Sequence, residues 1–388
     1  MLKSIVKLIV IYFLKIYISI IQRLFGIKKN RIIFNSYSGR QYACNPKYIS
    51  EYLCERRKNK YEIIWALKNA EKYRFLNKMG VKIVEYCSWK RFFYEATAKV
   101  SINNIGSFSW LPHNKKQLRI NTWHGGGCYK KVGIGESHND PFMKKSMELT
   151  SINTSYMIST SRYFSEMVIP NDFNYHGDVL NIGFPRNDLI IRANNDNKRK
   201  IRDKVFDSLD ICKKNHIILY APTWRYDRNS SIVIPDLVGL KRVCSEKFGG
   251  QWVVIVRAHD LMKDCFDEGD YIDSSSYPDM QELLVAADIL ISDYSSCIWD
   301  FSLQLNKPCF LFTPDLKNYR EKRGFNVDIY EWGFPVCCND FELQESVMKF
   351  NEDEFINKMK KHHKILGSFD DGNACEKIAK VIDEFIDK

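Results

Sequence analysis

The chain has 388 residues, 45% of them hydrophobic and 14% aromatic, with a formal net charge of +11. This composition excludes a long disordered protein and predicts two domains of ordinary size. The positive charge favours an anionic partner (nucleic acid, an acidic membrane surface or a polyanionic substrate) without choosing among them.

Residues 2–25 are rich in Ile, Leu, Val, Tyr and Phe. No small-residue cleavage site follows Phe25, so the segment does not read as a signal peptide. Lys7 and Lys15 interrupt the apolar run, which argues against a bilayer span. Lys3, Lys7, Ile11, Lys15, Ser19 and Gln22 recur at steps of four and three. They form one stripe, polar except at Ile11, and the rest of the circumference is apolar. With Arg23, Lys28 and Lys29 at the exit, residues 1–29 are expected to form an amphipathic helix lying on an anionic leaflet.

Strand-like runs then alternate with amphipathic segments. Residues 32–35, 63–67, 81–86, 100–103, 120–123, 156–159 and 179–182 make a first set of strands, with helical sequence such as 46–58 and 89–98 between them. The alternation predicts a doubly wound parallel sheet. The charged stretch NNDNKRKIRDK (194–204) reads as a linker or boundary helix. A second set follows at 216–220, 252–256, 271–273, 289–292 and 309–312, and helical sequence from 342 to 387 closes the chain. The expected architecture is α/β of the GT-B type. Two Rossmann-like domains, 30–192 and 193–365, would face each other across a cleft, and 366–388 would form a C-terminal helix.

The twelve cysteines show no pair of matched CxxC or HxxxH motifs, so a structural zinc site is not expected. Cys337 and Cys338 are adjacent, which suits neither a routine disulfide nor a tetrahedral metal, and Cys297 and Cys309 sit in apolar runs as core residues. These features point to a reducing, cytosolic compartment. No metal and no cofactor are expected.

Chemistry-bearing residues collect where strands end, the edge at which open α/β folds bind ligands. In NTWHGGG (121–127), His124 follows a strand directly and is suited to act as a general base. Gly125 and Gly126 let backbone approach a ligand and present N–H groups, and Lys130 and Lys131 could hold an anionic acceptor. In NIGFPRND (181–188) Pro185 stiffens a turn and Asp188 is placed to cap the helix that follows it; Arg186 is within reach of a phosphate. In YAPTWR (220–225) Thr223 and Arg225 suit phosphate contacts. VRAH (256–259) places Arg257 and His259 at another strand end, where His259 could stabilise charge on a transferring phosphoryl group. In SDYSS (292–296) Asp293 ends a buried strand, and Ser295 and Ser296 open a helix whose amino end is an anion site. NYREKRGF (318–325) brings Arg320 and Arg323 into the same half. Each motif also has an ordinary structural reading, as a turn, a cap or a solvated charge.

In this order, WHG, GFPRND, YAPTWR, RAH, SDYSS and RGF resemble the CDP-glycerol glycerophosphotransferase family, the polymerases and primases of teichoic acid synthesis, over about residues 33–330. Where many members have Gly-Thr-Pro after the histidine, this chain has three glycines. The resemblance implies His124 as the base, His259 as a second essential histidine, and Ser295 and Ser296 near the donor's phosphates. It implies an N-terminal acceptor domain and a C-terminal CDP-donor domain, and a peripheral place on the cytoplasmic membrane face. The implied reaction is in-line displacement at phosphorus. A hydroxyl of a polyprenyl-linked or polymer acceptor attacks the β-phosphate of CDP-glycerol, and CMP leaves. The same residues leave CDP-ribitol open as donor, and capsule as product. A GT-B glycosyltransferase using a nucleotide sugar, or a non-enzymatic anion-binding membrane scaffold, are the readings of other classes. Nucleic acid is not expected as a partner, because the basic residues do not cluster with stacking aromatics in a known module.

Overall fold

The structure is a computed structural model that describes residues 2–127, 129–136, 141–223, 233–258 and 269–388. Among these, the chain makes two fully parallel sheets. The first contains β1 (Lys28–Phe34), β2 (Glu62–Leu67), β3 (Lys82–Glu85), β4 (Ala98–Asn103), β5 (Leu118–Asn121), β6 (Tyr156–Ser159) and β7 (Asp178–Asn181), in the order β3-β2-β1-β4-β5-β6-β7. The second contains β8 (Asn215–Ala221), β9 (Gln251–Val256), β10 (Ile272–Asp273), β11 (Ile289–Ser292), β12 (Cys309–Phe312) and β13 (Val336–Cys337), in the order β10-β9-β8-β11-β12-β13. In both, the order reverses next to the first strand of the sheet, as in a doubly wound fold. β5, β11 and β12 are buried along their whole length, as parallel strands covered by helices on both faces must be. Two Rossmann-like units of this kind are the GT-B class expected from the sequence.

The first compact unit comprises residues 1–124, 132–188 and 368–388, and the second 125–131 and 189–367. The boundary thus falls four residues before the expected 192/193. The terminal segment is part of the first unit, because the helix Ala374–Asp387 places Ile378, Ala379, Ile382 and Ile386 in that unit's core with Phe34, Trp65 and Phe184. Asp188 does act as a cap, but of this distant helix. Its carboxylate accepts from the backbone N–H of Ala374 at 3.0 Å and of Cys375 at 2.7 Å. The polar stretch after it becomes the helix Asn195–Leu209, capped by Asn194.

The N-terminal helix α1 (Leu2–Phe25) packs on α3 (Trp89–Thr97) and α4 (Pro141–Asn153); α2 (Cys44–Arg56) lies elsewhere in the same unit. Ile18 and Ile21 are buried with Ala96, Phe108 and Leu111. The side chains of the expected polar stripe are only partly covered: Lys15 and Gln22 are half-buried, while Lys7 and Ser19 are exposed. Ile11 is buried, the Lys7 ammonium lies 5.0 Å from the Phe142 ring, and Gln22 donates to Gln117 at 2.9 Å. Burial lowers the pKa of Lys15, with Lys145 and Arg119 adding to the effect. Much of the exposed surface is apolar: Ile9, Phe13, Ile16, Ile20 and Leu24 are exposed. Residues 5–25 are long and apolar enough to cross a bilayer by length and composition, with mean hydropathy 2.0.

Candidate functional site

In the first unit β4 and β5 end side by side, with Asn103 opposite Asn121. The chain leaves β5 through Trp123, which adopts a left-handed φ of 50°. For a non-glycine residue this costs roughly 1–3 kcal/mol, and its neighbours must hold it there. The Trp123 N–H donates to the Asn121 side chain at 3.0 Å, its carbonyl accepts from the Asn45 amide at 3.0 Å, and its ring packs on Phe173. The turn delivers His124, whose Nδ1 lies 2.8 Å from the Asn104 carbonyl. A carbonyl only accepts, so Nδ1 bears a proton, and in the neutral ring the lone pair is then on Nε2, which is the tautomer a base needs. Tyr37 meets the ring edge-on at 5.4 Å.

Arg186 is 5% exposed and its Nη1 donates to the His124 carbonyl at 2.7 Å, while its backbone N–H donates to Asn45 at 3.2 Å. The structure therefore spends at least one of its donors on the backbone of His124. The motif reading found Arg186 but missed Asn45 and Asn104. Asn103 and Asn104 close a strand as a pair, and such a pair is a turn signal: Asn103 Oδ1 accepts from Gly106 N–H at 2.7 Å, and Asn104 Oδ1 from Tyr37 N–H at 2.8 Å. Asn45 has no comparable signal, since only the fold brings it to Trp123.

In the second unit, registers that pair Tyr220 with Val256 and Ala221 with Ser292 bring Thr223, Arg257 and Asp293 to one carboxyl edge. Asp293 is 2% exposed. Its carboxylate accepts from Thr223 N–H at 2.9 Å, from the Thr223 hydroxyl at 2.6 Å and from Tyr294 N–H at 2.5 Å. A buried carboxylate so occupied shapes the turn and would repel a phosphate brought against it. Arg257 donates to the Tyr277 carbonyl at 2.7 Å and to the Ser274 carbonyl at 3.3 Å, supporting the next turn. Ser295 accepts weakly from Cys297 N–H at 3.4 Å, whereas Ser296, at the cap position of the helix Cys297–Ser302, makes no capping bond with its hydroxyl. Arg320 is engaged with Asp328 at the surface at 2.8 Å. Arg225 and His259 lie outside the described residues.

Residues 125–131 belong to this second unit, directly after His124 in the chain. A Cβ on Gly126 would fall 2.6 Å from Trp299, and Gly127 has φ +75°. These two glycines thus have a packing reason to be glycine. Lys130 pairs antiparallel with Phe325, and Arg323 donates to the Lys131 carbonyl at 3.4 Å. Tyr129 is buried against Trp332, with its hydroxyl 3.0 Å from His362 Nε2. Burial lowers His362 to about 3, helped by His363, and His363 itself to about 4. The Lys131 side chain is exposed.

The sequence from residue 16 to 384 matches the profile of the CDP-glycerol:poly(glycerophosphate) glycerophosphotransferases. The chain belongs to that family. It is 30% identical over 378 residues to the teichoic acid glycerol-phosphate transferase of Staphylococcus aureus, covering 91% of this chain and 93% of that protein. It is 31% identical over 346 residues to the teichoic acid poly(glycerol phosphate) polymerase of Bacillus subtilis; the match covers 85% of this chain but only 45% of that longer protein. A structure of the wall teichoic acid polymerase TagF superposes with a TM-score of 0.80 at 27% identity, covering 100% of this chain and 97% of that one.

Proposed function

We propose that this chain transfers glycerol phosphate from CDP-glycerol to a hydroxyl of a membrane-linked acceptor in teichoic acid or related surface-polymer synthesis. The observation that carries the reading is His124, at a sheet edge in the proton-accepting tautomer. The acceptor oxygen forms a bond to the β-phosphorus, the bond from that phosphorus to the bridging oxygen breaks, and CMP leaves with that oxygen. The acceptor proton goes to His124 Nε2. Arg186 and the Asn104 carbonyl position the ring. In the second unit, Thr223 and Asp293 shape the turn that presents Ser295 and Ser296 to the donor's phosphates, with Arg225 and His259 adding positive charge. Catalysis would rest on positioning and charge neutralisation, as in phosphoryl transfer generally. Family membership supports the donor class, and a TagF variant soaked with CDPG, with a TM-score of 0.80 at 25% identity, supports it further. We further propose that α1 attaches the chain to the cytoplasmic membrane face. Incubation with labelled CDP-glycerol, CDP-ribitol and UDP-sugars tests the donor. CMP release from CDP-glycerol is expected, and release of nucleotide from a UDP-sugar alone would overturn the reading.

A further inference from the structure

The first unit contains a cavity of about 290 Å³ beside the sheet edge that bears His124. Met143, Met147 and Thr150 of α4 line it, as do Trp123, Met157 and Phe173. None of the lining residues is charged. In a chain of net charge +11 this is a selective feature, because a phosphate or nucleotide would find no counter-charge here. Serine and threonine hydroxyls and the Asn121 amide share the lining, and the flexible thioethers and aromatic rings between them suit hydrocarbon. The volume lies just below the range of small-ligand pockets, roughly 300–1,000 Å³, so it fits a stretch of chain and not a whole lipid.

Two placements say where such a chain would come from and where it would end. α4 stands between the cavity and α1: Phe142 lies under Lys7 of α1, and the next residue, Met143, is a 45% exposed member of the cavity wall. α1, much of whose exposed surface is apolar, and the cavity thus both adjoin α4. Of the lining residues, Trp123 has its ring 4.2 Å from the His124 ring, centroid to centroid.

We propose that this cavity binds a segment of the hydrocarbon tail of the membrane-linked acceptor, which makes it a determinant of acceptor choice. The assignment rests on the transfer reaction proposed above. The tail is held in the cavity, on the side of the unit that also carries α1, and the head group extends from it to bring its hydroxyl to His124.

Two measurements on the full chain in detergent test it. The first is photolabelling of the unmodified protein with a diazirine-bearing farnesyl alcohol, followed by peptide mapping. Label is expected within 143–157 and at Trp123, competed by unlabelled farnesyl alcohol. Label confined to α1, or spread without competition, would overturn the proposal. So would equal competition by phosphatidylglycerol, which would make the cavity a site for bulk lipid. This arm needs no CDP-glycerol turnover, so its outcome stands even if the proposed reaction fails. The second compares KM for acceptors with one head group and either a farnesyl or a methyl tail, in wild type and in Thr150→Trp, which fills the cavity. The wild type should favour the long tail by about tenfold or more, since each buried methylene is worth roughly fourfold in affinity. In Thr150→Trp that ratio should fall towards one. An unchanged ratio in a variant with normal thermal unfolding would overturn the proposal.

Discussion

At the residue scale, the question is what fixes one imidazole. His124 gets its tautomer from a backbone carbonyl, its backbone position from Arg186, and its approach from a left-handed tryptophan. His124→Ala is therefore expected to lower turnover by about a hundredfold or more, the usual worth of a general base, with donor affinity nearly unchanged. Steady-state kinetics beside nucleotide titration checks this, and retained turnover would remove His124 from the chemistry. The serines separate in the same way. Ser295 already serves as a weak cap, while the Ser296 hydroxyl makes no capping bond. Ser296→Ala should weaken CDP-glycerol binding by about tenfold, the worth of one hydrogen bond to a charged group, and more than Ser295→Ala does. Equal affinities in all three proteins would leave both serines as structural residues.

At the element scale, the capping of the C-terminal helix shows how distant parts of the first unit depend on one carboxylate. Asp188→Ala removes the acceptor for two helix N–H groups and should cost about 1–2 kcal/mol, read as a lower denaturation midpoint at unchanged slope. No shift would mean that water replaces the cap. This bond also marks the limit of what the sequence discloses. Alternating apolar runs gave both sheets nearly strand for strand, because a buried parallel strand is a continuous hydrophobic run wherever it lies. Among the described strands, the two-residue β13 was absent from that reading. Strand-end motifs likewise placed His124, Thr223, Arg257 and Asp293 at sheet edges. What stayed hidden was pairing between residues far apart in sequence. Nothing local in GFPRND says that Asp188 caps a helix beginning at Ala374. Nothing in SDYSS says that the Asp293 carboxylate is used up by Thr223. The glycines after His124 read as open backbone, yet Gly126 is small because Trp299 lies against it.

At the scale of the whole molecule, pH and membrane are the variables. His362 and His363 are held near 3 and 4, below the ordinary value of 6.5, chiefly by burial. Above about pH 6.5 neither the folded nor the unfolded chain protonates them, and their full contribution to stability is present. As pH falls below that value, the unfolded chain takes up protons that the fold excludes. Stability should drop, by at most about 1.4 kcal/mol per pH unit for each group, until the folded histidines protonate near 4 and 3. Thermal unfolding at pH 7.5 and pH 5, compared between wild type and a His362→Gln, His363→Gln double variant, should show a smaller acid shift in the variant; equal shifts would place the acid sensitivity elsewhere. For the membrane, the fold alters the expected source of binding. In the lysine stripe of α1, Lys15 is half-buried and Lys7 exposed, and the larger part of the exposed surface is Ile9, Phe13, Ile16, Ile20 and their apolar neighbours. Attachment should therefore rest mainly on buried apolar area, with the net positive charge adding a smaller, salt-sensitive part. Changing those four residues to Gln should release the chain from anionic and neutral vesicles alike in a flotation assay, without lowering its melting temperature. Ile18→Ala should do the reverse, costing about 2–5 kcal/mol because Ile18 is buried with Phe108 and Leu111. If high salt alone strips the wild type from anionic vesicles, or the Gln variant still floats with them, charge and not the apolar face of α1 holds this protein to the membrane.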